Sequence, residues 1–346
     1  MAESFKAAVL VSPNSPLEIM DLKIPELRDG QVLIRVISAG VCRSQLMEVT
    51  GKRGQDEWLP HLLGHEGFGV VEAVGPLVSK VSIGERVIVG WIVGTGINAS
   101  PPQFFTETGF QVNSGVATTF SEYSVVSENR IYAAPKGFSE DFLPLFGCSL
   151  LTGGGMVFKY FNESIHKKVL ILGFGGVGSS AAVVLDSLSK TEIVIIDESE
   201  PRLNQARKMG FKNVHTLSEF KSTFKENSTN KFDLCIESAG SSSTIEQGFS
   251  LLNKTGTLIF ASHPESGSKI ALDPFELISG KTIFGSFGGE SIPEKDISKI
   301  SELLLESTLN LEYMLGSVSA LEDVNLALNQ LELGLPGRPI IRMYRT

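Results

Sequence analysis

Apolar and alternating runs in the first 145 residues are short: Lys6–Val11, Gln31–Ala39, Gly69–Val74, Arg86–Val89 and Phe120–Val126, separated by Gly, Pro, Ser and Asp clusters. That spacing predicts short strands and a barrel or sandwich-like domain. From about residue 146 the period changes. Strand-like runs at 167–173, 191–197, 232–238, 255–262 and 281–288 now alternate with helical stretches at 179–190, 201–210 and 242–253. This is the pattern of βαβ units and a parallel sheet. The unbroken apolarity of Val169–Leu172 and Ile193–Ile196 fits strands covered by helices on both faces. Two further helical stretches, 297–307 and 321–334, precede a last strand, Arg338–Tyr344, placed to return to the first domain.

The 346 residues suffice for two domains, each with its own core. With 30 Lys plus Arg against 39 Asp plus Glu, the net charge of −9 argues against a nucleic-acid or anionic-lipid partner. No run reaches the length of a membrane span, and the first residues, MAESFKAAVLVSP, lack a basic region followed by a long apolar one. A cytoplasmic protein is therefore expected. The three cysteines, Cys42, Cys148 and Cys235, are too few and too scattered for a disulfide framework. Cys235, inside FDLCIES, reads as a core strand residue. His166, His215 and His263 read as solvated or cofactor-peripheral, and His61 and Trp58 as packing or pocket-lining residues.

Gly173-Phe174-Gly175-Gly176-Val177-Gly178 follows the first strand of the alternating half and leads into a helix expected to begin near Ser179. Glycines there permit a tight turn and the close approach of a pyrophosphate to backbone N–H groups at a helix N-terminus. The next strand ends at Asp197, 19 residues after Gly178, where a carboxylate can accept both ribose hydroxyls and would repel a 2′-phosphate. NAD is thus preferred over NADP. Arg202 is a candidate partner for the ribose or phosphate edge.

Residues 64–75 read GHEGFGVVEAVG, so His65 follows a glycine and precedes Glu66. With Cys42 and Cys148 it completes a set of two thiolates and one imidazole, which neutralises Zn²⁺ and leaves a fourth position open for substrate. Together with the Cys42-Arg43-Ser44 triplet, GERV (84–87), GCSLLTGGG (147–155) and the glycine turn, this motif makes the chain resemble the medium-chain zinc-dependent alcohol and polyol dehydrogenases over almost its whole length. The resemblance implies an α/β protein: a GroES-like β-barrel catalytic domain (1–147 and 289–346) around a doubly wound Rossmann domain (148–288) that binds NAD. It implies Cys42, His65 and Cys148 as zinc ligands, with Glu66 as a neighbouring or transient ligand. Ser44 would accept the substrate proton, Arg43 would touch the cofactor phosphates, and Thr152 would meet the nicotinamide. Backbone groups at Phe287 would hold the carboxamide. The expected substrate is an alcohol, a polyol or sugar derivative included, or its carbonyl, and a homodimer or homotetramer is expected.

Three departures from the family pattern qualify the transfer. Residues 91–116 contain no cysteine where many members carry a four-cysteine lobe, so one catalytic zinc and no structural zinc are expected. Phe104, Phe105 and Phe110 in that segment are expected to pack against a partner subunit or over the active-site mouth. Gln45 stands where an Asp usually supports the ligand His, and Met47 where a relay His is frequent. Two other readings compete: a zinc-free, NADPH-dependent enone or quinone reductase, and a dinucleotide-binding protein without catalysis.

Overall fold

The computed structural model describes residues 3–223 and 231–344, and the change of period near residue 146 is a change of architecture. Strand Gln31–Gly40 is the spine of the first part. It pairs antiparallel with Glu66–Val74, with Tyr123–Ser127 and, at its far end, with Arg338–Arg342, so the last strand does return to the N-terminal half. Arg86–Gly90 and Ile131–Ala133 extend this sheet on one side, and Leu315–Ala320 lies parallel to Arg338–Arg342 on the other. A second sheet of Ser4–Leu10, Glu18–Lys23 and His61–Leu62 closes over the first. Phe5, Val9 and Leu62 meet Leu33 and Val125 there in one apolar cluster.

The alternating half forms a six-stranded parallel sheet in the order Val214–His215, Glu192–Ile196, Lys168–Leu172, Phe232–Glu237, Leu252–Phe260, Thr282–Gly285. The strand order reverses beside Lys168–Leu172, and open α/β sheets bind ligands outside the carboxyl ends of the strands at such a point. Cys235 is fully buried in this sheet, as its apolar surroundings predict. The helix Pro293–Leu305 packs through Ile297, Ile300 and Leu304 into the cluster that holds Val169, Ile171 and Val184. Among the described residues no helix is long and apolar enough to cross a membrane.

Several local expectations change. The helix after the glycine turn spans Gly176–Leu188, starting inside the motif, with Gly175 as its N-cap. His166 is buried against Phe161, its Nδ1 accepting from the Asn162 N–H, and this burial lowers its pKa. In residues 91–116, Phe104 turns inward onto Phe5 with ring centroids 5.6 Å apart, while Phe105 and Phe110 remain partly exposed. Phe104 instead caps the core of its own barrel. The earlier part of that segment is clasped by the turn at Ser127–Arg130. The Glu128 carboxylate accepts from Ser79 N, Lys80 N and Ile97 N, Ser127 Oγ accepts from Ala99 N, and Arg130 donates to the Trp91 carbonyl.

Candidate active site

The three candidate ligands sit at three junctions between elements. Cys42 caps the helix Arg43–Val49 directly after the spine strand, His65 precedes the strand Glu66–Val74, and Cys148 caps the helix Ser149–Tyr160. Their ligand atoms lie within 4.8 Å of one another. Cys148 donates to Cys42, which with Arg338 and His65 holds the Cys42 thiol well below its ordinary pKa despite burial. The same interaction, with burial, pushes Cys148 well above. Two thiols cannot both ionise cheaply in one buried site, and a divalent cation removes that conflict. His65 Nε2 is buried with no hydrogen-bond partner. An orphaned imidazole nitrogen beside two sulfurs is the donor set that suits zinc.

Behind the ligands, Glu66 is fully buried and lies 3.1 Å from Arg338 Nε, a residue on the last strand. Gly40 makes room for it, since a Cβ there would fall 2.4 Å from Glu66 Oε1. Burial raises the Glu66 pKa to about 7 against the opposing pull of Arg338. Gln45 is also buried: its Oε1 accepts from Cys42 N (2.9 Å) while its Nε2 contacts His65 Nδ1. A carboxamide has one acceptor oxygen, so the Cys42 amide and the ring of a zinc-ligating His65 compete for it. Ser44 Oγ stands 3.5 Å from His65 Nδ1.

One cleft of about 1020 Å³ contains this cluster and the glycine turn. Cys42, Arg43, Ser44, His65, Cys148, Thr152, Gly173, Gly175, Gly176, Val177, Arg202 and Phe287 all line it. Thr152, one turn after Cys148, has a buried Oγ1 without a partner. Gly178 lies beneath the turn, where a Cβ would be 1.9 Å from the Gly173 carbonyl oxygen, so no larger residue fits. Phe287 is 83% exposed and meets Trp91 edge to face at 4.9 Å.

Two candidates are placed differently from the rest. Arg43 donates through Nη1 to the Ala239 carbonyl at 2.9 Å, spanning the cleft. Asp197 is buried and does not line the cleft. Its oxygens accept from Phe174 N (2.6 Å) and Ser199 N (2.8 Å), and Arg202 Nη1 is 3.9 Å away. The carboxylate therefore braces the glycine turn.

Sequence reasoning missed two features of the cleft. Arg338 is buried beside the glycine turn, where a Cβ on Gly176 would strike its Nη2 at 2.3 Å. Trp91 stands edge-on to the His65 ring at 6.4 Å between centroids. Only long-range pairing brings these two residues in, although the return of the last strand was a signal for Arg338. His61, expected to pack or to line a pocket, lines the cleft and pairs locally through Nε2 with Asp56 Oδ2 at 2.8 Å.

Residues 28–136 match the alcohol dehydrogenase GroES-like domain, and residues 176–306 match the zinc-binding dehydrogenase domain. An alcohol dehydrogenase class-3 from Cereibacter sphaeroides is 23% identical, over 97% of this chain and 99% of that protein. An S-(hydroxymethyl)glutathione dehydrogenase from Escherichia coli is 25% identical, over 97% and 99%. Among solved structures, benzyl alcohol dehydrogenase from Acinetobacter calcoaceticus aligns with a TM-score of 0.87 at 25% identity, covering 99% of this chain and all 100% of its own.

Proposed function

Since the chain belongs to the medium-chain zinc-binding alcohol dehydrogenase family, we propose that it interconverts an alcohol and its aldehyde or ketone, with NAD as the hydride carrier. One observation carries this reading: three ligand atoms from distant parts of the chain converge within 4.8 Å in the same cleft as the glycine turn. Zinc would supply Lewis acidity to the substrate oxygen, and NAD the hydride acceptor.

The chain's own groups do the rest. Cys42, His65 and Cys148 would hold the metal, with Glu66 and Arg338 as a buried charge pair behind it. Ser44 Oγ is placed to take the hydroxyl proton and pass it toward solvent, since it lines the cleft beside His65. With Met47 buried where a relay imidazole is frequent in the family, that path runs from Ser44 through water. Backbone N–H groups at Gly175–Gly178 and the N-terminus of Gly176–Leu188 would take the pyrophosphate, aided by Arg338, Arg43 and Arg202. Asp197 would receive the adenosine ribose hydroxyls, Thr152 would contact the nicotinamide, and the backbone at Phe287 its carboxamide. Trp91 and the Phe287 ring would shield the transfer from water.

We assign one zinc per chain and no structural zinc, because all three cysteines of the chain are accounted for: Cys42 and Cys148 in the cluster, Cys235 in the sheet. Three free thiols suit a reducing compartment, the cytoplasm. Thr282–Gly285 is an edge strand with Phe284 46% exposed, and Phe275 and Ile278 of the preceding helix are exposed as well, which supports two-fold pairing of two chains there.

The test is a screen of simple, aromatic and polyhydric alcohols for NAD reduction, with and without a zinc chelator. Chelator-sensitive NADH formation is expected. Reduction of enones by NADPH in metal-free protein would instead favour the zinc-free reductase reading.

A further inference from the structure

The outer cleft carries a charge pattern that the reaction itself does not require. Four arginines line the cleft, and each is already engaged: Arg43 with the Ala239 carbonyl at 2.9 Å, Arg53 with Glu48, Arg202 with Asp197 at 3.9 Å, and Arg338 with Glu66 at 3.1 Å. Three of them face the expected cofactor half. On the substrate side, Asp56 is paired with His61, while Glu57 is exposed and has no ion-pair partner among the described residues. Arg43, bonded to a carbonyl, keeps its charge but is assigned to the cofactor phosphates, and among the described residues no Lys or Arg forms an ion pair with Glu57.

Between these residues stands Trp58, 70% exposed yet held through its backbone on both sides. Its N–H donates to Asp56 Oδ1 at 2.9 Å, and its carbonyl accepts from Asn113 Nδ2 at 2.8 Å. An exposed indole carried on a backbone held at a cleft lining offers a flat apolar face that stacks on rings and attracts cations. Trp91 and Phe287, edge to face at 4.9 Å, line the same cleft.

We infer that this cleft selects uncharged or cationic aryl alcohols and turns away anionic ones, with Trp58 as the stacking platform and Glu57 as the charge filter. The inference rests on the alcohol dehydrogenase reading and narrows its substrate class. One uncompensated carboxylate at a solvated mouth separates otherwise matched substrates by about 3- to 10-fold at low ionic strength, a gap that added salt closes.

Three probes of one shape test it: benzyl alcohol, 4-(aminomethyl)benzyl alcohol and 4-(hydroxymethyl)benzoate, each with NAD and zinc-loaded protein. The expected order of kcat/KM is cation at or above neutral, with the anion about 3- to 10-fold lower, and the spread collapses in high salt. Glutathione premixed with formaldehyde, a larger net anion, should fall with the benzoate. Glu57→Lys should reverse the order, and because Glu57 is exposed this variant leaves the core intact; Trp58→Ala should raise KM for all three probes. A wild-type protein that turns over the benzoate as well as benzyl alcohol, or a Glu57→Lys variant with the original ranking, overturns the inference. If none of the three reduces NAD while a simple or polyhydric alcohol does, the aryl preference is overturned; if no alcohol of the broader screen does, the functional reading fails, and the charge filter is read separately. The NADH-loaded protein is then titrated with benzamide and its 4-aminomethyl and 4-carboxy derivatives by tryptophan quenching. Weaker binding of the carboxylate alone sustains the filter, and equal binding removes it.

Discussion

Glu128→Gln is the sharpest test of how residues 91–99 are held in place without cysteines. Glu128 is buried, and its two oxygens accept from Ser79 N at 2.6 Å, Lys80 N at 2.5 Å and Ile97 N at 2.9 Å. Burial alone would raise its pKa, but the three amides and Lys80 bring it below the ordinary carboxylate value. Glutamine keeps the shape and loses one acceptor. Whichever way the amide turns, it sets an NH₂ against either Ile97 N–H or the Ser79 and Lys80 pair. Leaving one buried donor unsatisfied costs about 1–3 kcal/mol, and the surviving bonds lose their charge assistance. The expected loss is therefore about 2–4 kcal/mol. Urea unfolding followed by tryptophan fluorescence measures it, because Trp91 lies in the clasped segment and Arg130 donates to its carbonyl. Hydrogen exchange at residues 94–99 should accelerate in parallel. The pH dependence has a definite sign. A carboxyl group whose folded pKa is depressed adds stability above the unfolded value, about 4.3, and loses it as pH falls through the folded one. The gap between wild type and variant should thus narrow in acid. A variant within about 0.5 kcal/mol of wild type at neutral pH, or a gap that widens in acid, would mean that the carboxylate does not hold the clasp.

Further outcomes are expected. Gln45→Glu provides acceptors for both the Cys42 amide and the His65 ring, so zinc should bind about 10-fold or more tightly in a chelator competition; unchanged affinity would mean the carboxamide is no handicap. Asp197→Ala removes both the brace on the Phe174 amide and the ribose acceptor, and should lower NAD affinity at least about 10-fold while narrowing the NAD-over-NADP preference, measured by titration. Phe284→Glu places a charge on the exposed edge strand and should convert the proposed dimer to a monomer in sedimentation; an unaltered mass would remove this strand as the pairing face.

Local features carried most of the fold. The strand and helix periods, the glycine turn and the carboxylate at the end of the second strand are all written within windows of a few residues. The helix starts at Gly176 rather than Ser179 because Gly175 caps it, a matter of backbone geometry that low glycine propensity hides. The zinc set was legible through the motif at 64–75 together with two otherwise unexplained cysteines. What escaped depends on contacts across the chain. Arg338 reaches Glu66 only after the last strand returns beside Gln31–Gly40, and Phe104 is withdrawn from the surface by Phe5, far off in sequence. The Ser127–Arg130 clasp looks like an ordinary polar turn until residues 91–99 are laid against it. His166 is the local exception: Phe161 and the Asn162 N–H, four to five residues before it, cover the ring, and no hydrophobic period marks that turn.

Counting metal against turnover decides whether a single catalytic zinc sits at Cys42, His65 and Cys148. Native mass spectrometry of the purified protein, paired with NAD reduction by one alcohol substrate, should show one zinc per chain. Activity should fall in proportion as zinc is stripped, return on its re-addition, and be lost with the metal in Cys148→Ser. Full turnover by metal-free protein, or retention of zinc and activity in that variant, would contradict the account.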